Sequence, residues 1–168
     1  MLNKIKKIVK KLRQVYFTTR VKQKSGSYKL PLKVNGKSNV TLKTFLGKNV
    51  NFNGMSISGC GEVHIGDNFH SGVECMMITQ NHNYEGSKIP YDNTYTCKDI
   101  IIGDNVWLGS RVIVLGGVTI GEGAIIQAGS VIVSSIPKYG IAGGHPAKVF
   151  SYRDKEHYEK LKDEGKFH

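Results

Sequence analysis

One histidine stands where a side chain could move protons. It lies in QNHNYEG (Gln80–Gly86), a polar stretch between two regularly patterned regions. Histidine has an ordinary pKa of about 6.5, so near neutral pH it can take a proton from an attacking group and return it to a leaving group. The ring of His82 then needs a carboxylate or a carbonyl to orient it, and Glu85 is near in sequence. Asn81, Asn83, Tyr84 and Asp92 carry groups able to bond a hydroxylated substrate, and they suit a solvated polar loop equally well. His64 falls in a patterned strand, His70 at a corner, and His157 and His168 in a charged tail, so these are weaker candidates. The spacing of His64, His70 and His82 is not convincing as a zinc site, and no metal is expected.

The elements that would hold His82 are read from the repeats on either side. Apolar residues recur every six positions at Ile102, Leu108, Val114, Ile120, Ile126 and Ile132. Val106, Val112, Val118, Ala124, Ser130 and Ile136 each follow four residues later. A helix requires recurrence near 3.6 residues and a simple sheet requires alternation by two, so neither explains the pattern. A solenoid does: each six-residue unit is one flat side, the marker points inward, and a corner follows. GDN at 103–105, GE at 121–122 and GS at 129–130 suit such corners, because Gly and Asn tolerate positive φ. A looser array precedes it, marked by Leu46, Phe52, Ile57, Val63, Ile65, Ser71 and Met77, with a register slip around SGCGE. Residues 79–99 break the pattern and are expected to project from one corner, as binding insertions on solenoids do.

HIGDNF, the His82 loop and the run IIGDNVWLGSRVIVLGGVTIGEGAIIQAGSVIVSSIPKYGIAGGHPAKVF resemble the hexapeptide-repeat acyltransferases. The similarity is greatest to the sugar and polysaccharide O-acetyltransferase branch, which includes galactoside and maltose acetyltransferases. It covers roughly residues 45–150, and it is specific to the family rather than to the acceptor. The resemblance implies an all-β fold, a left-handed parallel β-helix with short terminal helices. It implies acetyl-CoA as donor, bound between neighbouring subunits of a homotrimer, a sugar or polysaccharide acceptor, and His82 as general base. It further implies that Trp107 lines the donor groove or packs at the subunit seam. Backbone N–H groups at Ser110 and Ala128 would contact the donor, and Lys148 and Arg153 would meet its phosphates. N-acetylation of an amino sugar and a noncatalytic scaffold remain alternatives. His145 stands where relatives commonly carry Asn or a small residue.

The expected organisation is a basic amphipathic helix over 1–25, the β-helix over 26–150, and a tail or capping helix over 151–168. Leu2, Ile5, Ile8, Val9, Leu12 and Tyr16 share one face of the first helix, with Lys4, Lys6, Lys7, Lys10, Lys11 and Arg13 around the remainder. That face fits packing on the chain's own solenoid, packing on a neighbouring subunit, or peripheral contact with an anionic membrane. The net charge of +11 is concentrated there: residues 1–61 hold fourteen Lys and Arg and no acid. No zinc-finger or RNP-like pattern accompanies the charge, so nucleic acid is not expected. No membrane-spanning run and no secretory signal is evident, which makes a cytoplasmic location, with or without attachment to the inner membrane face, the expectation. Cys60, Cys75 and Cys97 are odd in number, which argues against a complete disulfide framework, and Cys75 in VECMM reads as a buried small hydrophobe.

Overall fold

A computed structural model describes residues 2–168, and Met1 lies outside the described residues. The chain begins with α1 (Leu2–Lys24), winds into a parallel β-solenoid, and ends with α2 (Lys155–Asp163). The solenoid has three faces. The first stacks Ser27–Tyr28, Thr44–Leu46, Val63–Ile65, Ile100–Ile102 and Thr119–Ile120. The second runs from Leu32–Val34 through Val50–Phe52, His70–Ser71, Trp107–Leu108 and Ile125–Ile126 to Gly140–Gly144, closed by the antiparallel edge strand Ala147–Tyr152. The third stacks Met55–Ser58, Cys75–Ile78, Ile113–Leu115 and Val131–Ile132.

Every marker of the regular array points inward. Ile102, Leu108, Val114, Ile120, Ile126 and Ile132 are all buried, as are the residues four positions after each. Register turns the markers into ladders along the axis: Leu46, Ile65, Ile102 and Ile120 on the first face, and Ile57, Met77, Val114 and Ile132 on the third. Each ladder buries apolar surface that no single coil could cover, which is why the coils are stable only as a stack. His70, expected at a corner, instead lies in a second-face strand paired with Trp107.

The corners explain the GDN motifs. Asn49, Asn68 and Asn105 hold positive φ and stack directly over one another. Asn49 Nδ2 donates to Asn68 Oδ1 (3.0 Å), and Asn68 Nδ2 donates to Asn105 Oδ1 (2.9 Å). The preceding aspartates accept from the coil before: Lys48 N donates to Asp67, and Asp67 N donates to Asp104. Asparagine therefore serves twice, tolerating the left-handed backbone and bonding between coils.

The irregularity at SGCGE has a covalent counterpart. Cys60 is disulfide-bonded to Cys97, with their Cα atoms 5.4 Å apart. The odd count therefore reflects one bridge plus Cys75, which is buried and free. The inserted segment folds as a hairpin, Gln80–His82 antiparallel to Tyr95–Cys97. It leaves the third face after Ile78 and returns to the first face at Ile100, so it projects from the corner between them. The bridge ties the returning limb of that hairpin to the preceding coil.

Helix α2 begins at Asp154, whose side chain caps it by accepting from His157 N. It lies along the corner between the first and second faces, where Tyr158 meets Asn105 and Glu122, and Lys162 pairs with Glu122. Burial pushes Glu122 up, but hydrogen bonds from Lys162, Lys138 and Tyr158 outweigh it and hold the carboxyl below its ordinary range. Beyond α2 the tail reaches back until Asn49 Nδ2 donates to the His168 carbonyl.

Candidate functional site

The inserted hairpin is ordered by its own polar side chains. Asp92 accepts from Ser87 N (2.9 Å), Thr94 N (2.8 Å) and Thr94 Oγ1 (2.5 Å). The Thr94 hydroxyl, followed by the Ser87 and Thr94 amides, holds the Asp92 carboxyl at a pKa of about 2. Asn83 donates from its amide to Thr94 O and from its side chain to Thr94 Oγ1, and accepts from Glu85 N. Both residues, expected to meet substrate, are engaged in shaping the loop. Asn81, Tyr84 and Glu85 are exposed on it.

His82 ends the outgoing strand, opposite Tyr95. Its ring stacks on Tyr91 with centroids 3.8 Å apart and tilts against Tyr95 at 4.8 Å. Among the described residues no carboxylate bonds to the ring, Glu85 included. Orientation comes instead from two tyrosines, which the sequence reading missed. The only signal for them was their presence in the same insertion. His82 as a whole remains exposed to solvent.

Ser110 and Ala128 occupy a different corner, between the second and third faces, one coil apart. Gly72 and Gly109 pack directly beneath them. A Cβ on Gly72 would collide with the Ser110 backbone nitrogen, and one on Gly109 would meet the Ala128 nitrogen at 2.5 Å. Neither the Ser110 nor the Ala128 N–H donates a hydrogen bond among the described residues. The corner therefore carries rigid, neutral donors that the fold itself leaves unused, spaced about 4.8 Å apart along the axis.

Trp107 is half-exposed on the second face and lines a cavity of about 480 Å³. The same cavity is lined by His70 and Arg153, together with Tyr158, Phe167 and His168 from α2 and the tail. Burial, with a smaller contribution from His168, lowers the pKa of His70. Burial likewise lowers that of Arg153, against an opposing contribution from Tyr158. Arg153 Nε donates to Gly123 O (2.6 Å), so it fastens the end of the solenoid as well as lining the cavity. Burial pushes Tyr158 up to about 12, keeping its hydroxyl protonated between Asn105 and Glu122. Lys148 and His145 are exposed near the edge strand. The structure thus brings Trp107 and Arg153 together on one cavity, while Ser110 and Ala128 stand at the opposite corner of the second face and His82 at the third corner of the same chain. No group of three or more metal-ligating side chains occurs among the described residues.

Comparison with known proteins agrees with this architecture. Residues 99–134 match the family described as bacterial transferase hexapeptide (six repeats). A Staphylococcus aureus (strain MRSA252) protein described as an acetyltransferase is 53% identical over 57 residues, 34% of this chain and 29% of that protein. The galactoside O-acetyltransferase of Escherichia coli (strain K12) is 35% identical over 120 residues, 68% of this chain and 58% of that protein. A solved galactoside acetyltransferase in complex with coenzyme A superposes with a TM-score of 0.65 at 26% identity, covering 83% of this chain and 71% of that one. The chain carries the hexapeptide repeat and shares the β-solenoid fold of the galactoside acetyltransferase. It spans 29% and 58% of the length of these two curated relatives.

Proposed function

We propose that the chain is an acetyl-CoA-dependent O-acetyltransferase acting on a sugar hydroxyl, of a cell-surface polysaccharide or its precursor, and that it works as a homotrimer. One observation carries the reading: an exposed, tyrosine-stacked His82 projects from one corner, and unused backbone donors stack at another. A reaction needing both is completed when the hairpin of one chain meets the Ser110 corner of the next. The coenzyme A complex of the similar galactoside acetyltransferase supports the choice of donor.

In this mechanism His82 takes the proton from the acceptor hydroxyl as its oxygen attacks the thioester carbonyl. The Ser110 N–H donates to the carbonyl oxygen as negative charge develops there, and the Ala128 N–H holds the pantetheine arm one coil away. The C–S bond breaks, and His82 returns its proton to the departing thiolate. The products are an acetyl ester and coenzyme A thiol. Asn81, Tyr84 and Glu85 face the acceptor, Trp107 covers the donor groove, and Lys148 and Arg153 offer positive charge to its phosphates.

The test is thiol release from acetyl-CoA across free, nucleotide-linked and polymeric sugars, with His82→Ala alongside. Loss of the general base is expected to cost about 10²–10⁴-fold in turnover while acetyl-CoA binding is retained. Acceptor-independent behaviour, or equal rates for the two proteins, would sink the reading. Sedimentation equilibrium reports the trimer.

A further inference from the structure

Helix α1 carries two apolar stripes, and only one of them touches the body of the protein. Its last turns are docked: Val21 is buried, Phe17 packs against the core, Thr18 Oγ1 accepts from Val34 N, and Gln14 bonds Asn35. Every residue from Asn3 to Arg13 is exposed. Ile5, Ile8, Val9, Leu12, Val15 and Tyr16 are each about half-exposed or more, from 48% to 63%. At 100° per residue, Phe17 and Val21 lie about 140° and 180° round the helix from Leu12. The second stripe is therefore turned away from the solenoid that the first stripe grips, so it is not a face waiting to close on its own domain.

Charge indicates what covers it. Lys4 and Lys11 border the stripe on one side and Lys6 and Arg13 on the other, Lys7 and Lys10 lie behind it, and α1 has no acid. The basic field continues onto the first coils through Lys29, Lys33, Lys37, Lys43 and Lys48. Among the described residues none of the fourteen Lys and Arg up to residue 61 is paired with a carboxylate. A second copy of the helix would bring like charges together, whereas an anionic surface with an apolar interior matches both features. No helix of the described residues is long and apolar enough to cross a membrane, so the fitting geometry is a helix lying in the interface.

We propose that the exposed stripe of α1 docks the protein on an anionic lipid bilayer, with the six apolar side chains below the headgroups and the flanking lysines among them. The probe is vesicle co-sedimentation of the full chain, using phosphatidylcholine mixed with phosphatidylglycerol against phosphatidylcholine alone. Binding is expected to the mixed vesicles only, weakening as salt rises. Lys6, Lys7, Lys10 and Lys11→Gln should lower partitioning by roughly fivefold per charge removed. Ile8→Asp with Leu12→Asp should abolish it. Both variants alter exposed residues outside the core, so their melting temperatures should match the parent's. Equal binding to the two vesicle types, or none to either, would overturn the proposal. So would a loss of oligomer mass in Ile8→Asp/Leu12→Asp, measured by light scattering, which would make another copy of the chain the occupant.

Discussion

Removing the Cys60–Cys97 bridge should cost the protein a large part of its stability. The bridge joins residues 37 apart in sequence. In the chain-entropy account, a loop of that length removes about 4 kcal/mol of disorder from the unfolded state. That compares with a total of about 5–15 kcal/mol for a typical domain. With a urea dependence of about 2 kcal/mol per molar, the denaturation midpoint should fall by about 2 M. The assay is equilibrium urea denaturation of the oxidised protein, the reduced protein, and Cys60→Ser, Cys97→Ser and the double variant. Since each change opens the same loop, all four altered forms should share one midpoint. Thiol counting supplies the control: Cys75 is buried, and its thiol is pushed up by that burial, so the folded oxidised protein should expose no reactive thiol. The hairpin has other ties, including Lys98 N to Thr79 O and Asn83 N to Thr94 O. If these alone fix the loop, midpoints of oxidised and reduced protein will coincide, and the loop-closure reasoning fails.

Three further outcomes follow from single groups. Tyr91→Ala should lower turnover by roughly 2- to 12-fold, the equivalent of a lost aromatic contact of about 0.5–1.5 kcal/mol, while Tyr91→Phe keeps the stack and the rate. A change in KM for acetyl-CoA with turnover intact would count against this positioning role. Ser71 Oγ is buried with no hydrogen-bond partner among the described residues, so Ser71→Ala should stabilise the solenoid by about 1 kcal/mol, seen as a rise of about 2–4 °C in melting temperature. Asp92 has a folded pKa of about 2, below its unfolded value of about 3.9, so the order it gives the loop is complete above pH ~4 and lost as pH falls through about 2. Near-UV circular dichroism of the loop tyrosines should follow that course, and Asp92→Asn should show the low-pH signal at neutral pH.

The solenoid was legible because its physics is local and repeated. Each six-residue side must put one apolar residue inward, so Ile102 to Ile132 announce both the coil and its phase. The corners were legible for a similar reason, since Asn105 and Gly129 sit where positive φ is needed. What the sequence hid is long-range. Cys60 and Cys97 are brought together only because the insertion leaves and re-enters at one corner. Nothing in their spacing indicates that. Asp92 and Asn83 read equally as substrate-binding groups or as parts of a solvated loop, and their bonds to Ser87, Thr94 and Glu85 make them the frame of that loop.

The same distinction accounts for how the candidate site divides between corners. A repeat predicts the environment of each position along one chain, and in the fold Ser110 and Ala128 lie one coil apart with backbone N–H groups that make no internal bond. It has no means of relating those donors to a side chain carried by an insertion, because the insertion interrupts the phase that relates everything else. In the fold, the hairpin leaves from the corner between the third and first faces, whereas the donors stand between the second and third. A stack of flat sides cannot bend to bring two of its own corners together without breaking the ladders of Ile57, Met77, Val114 and Ile132 that lie between them. Under the proposed roles of His82 and the Ser110 corner, that rigidity requires the donor to be held by a neighbour. In the proposed trimer, combining His82→Ala chains with chains whose donor corner is blocked at the exposed Ala128 by Ala128→Trp should restore activity that neither has alone.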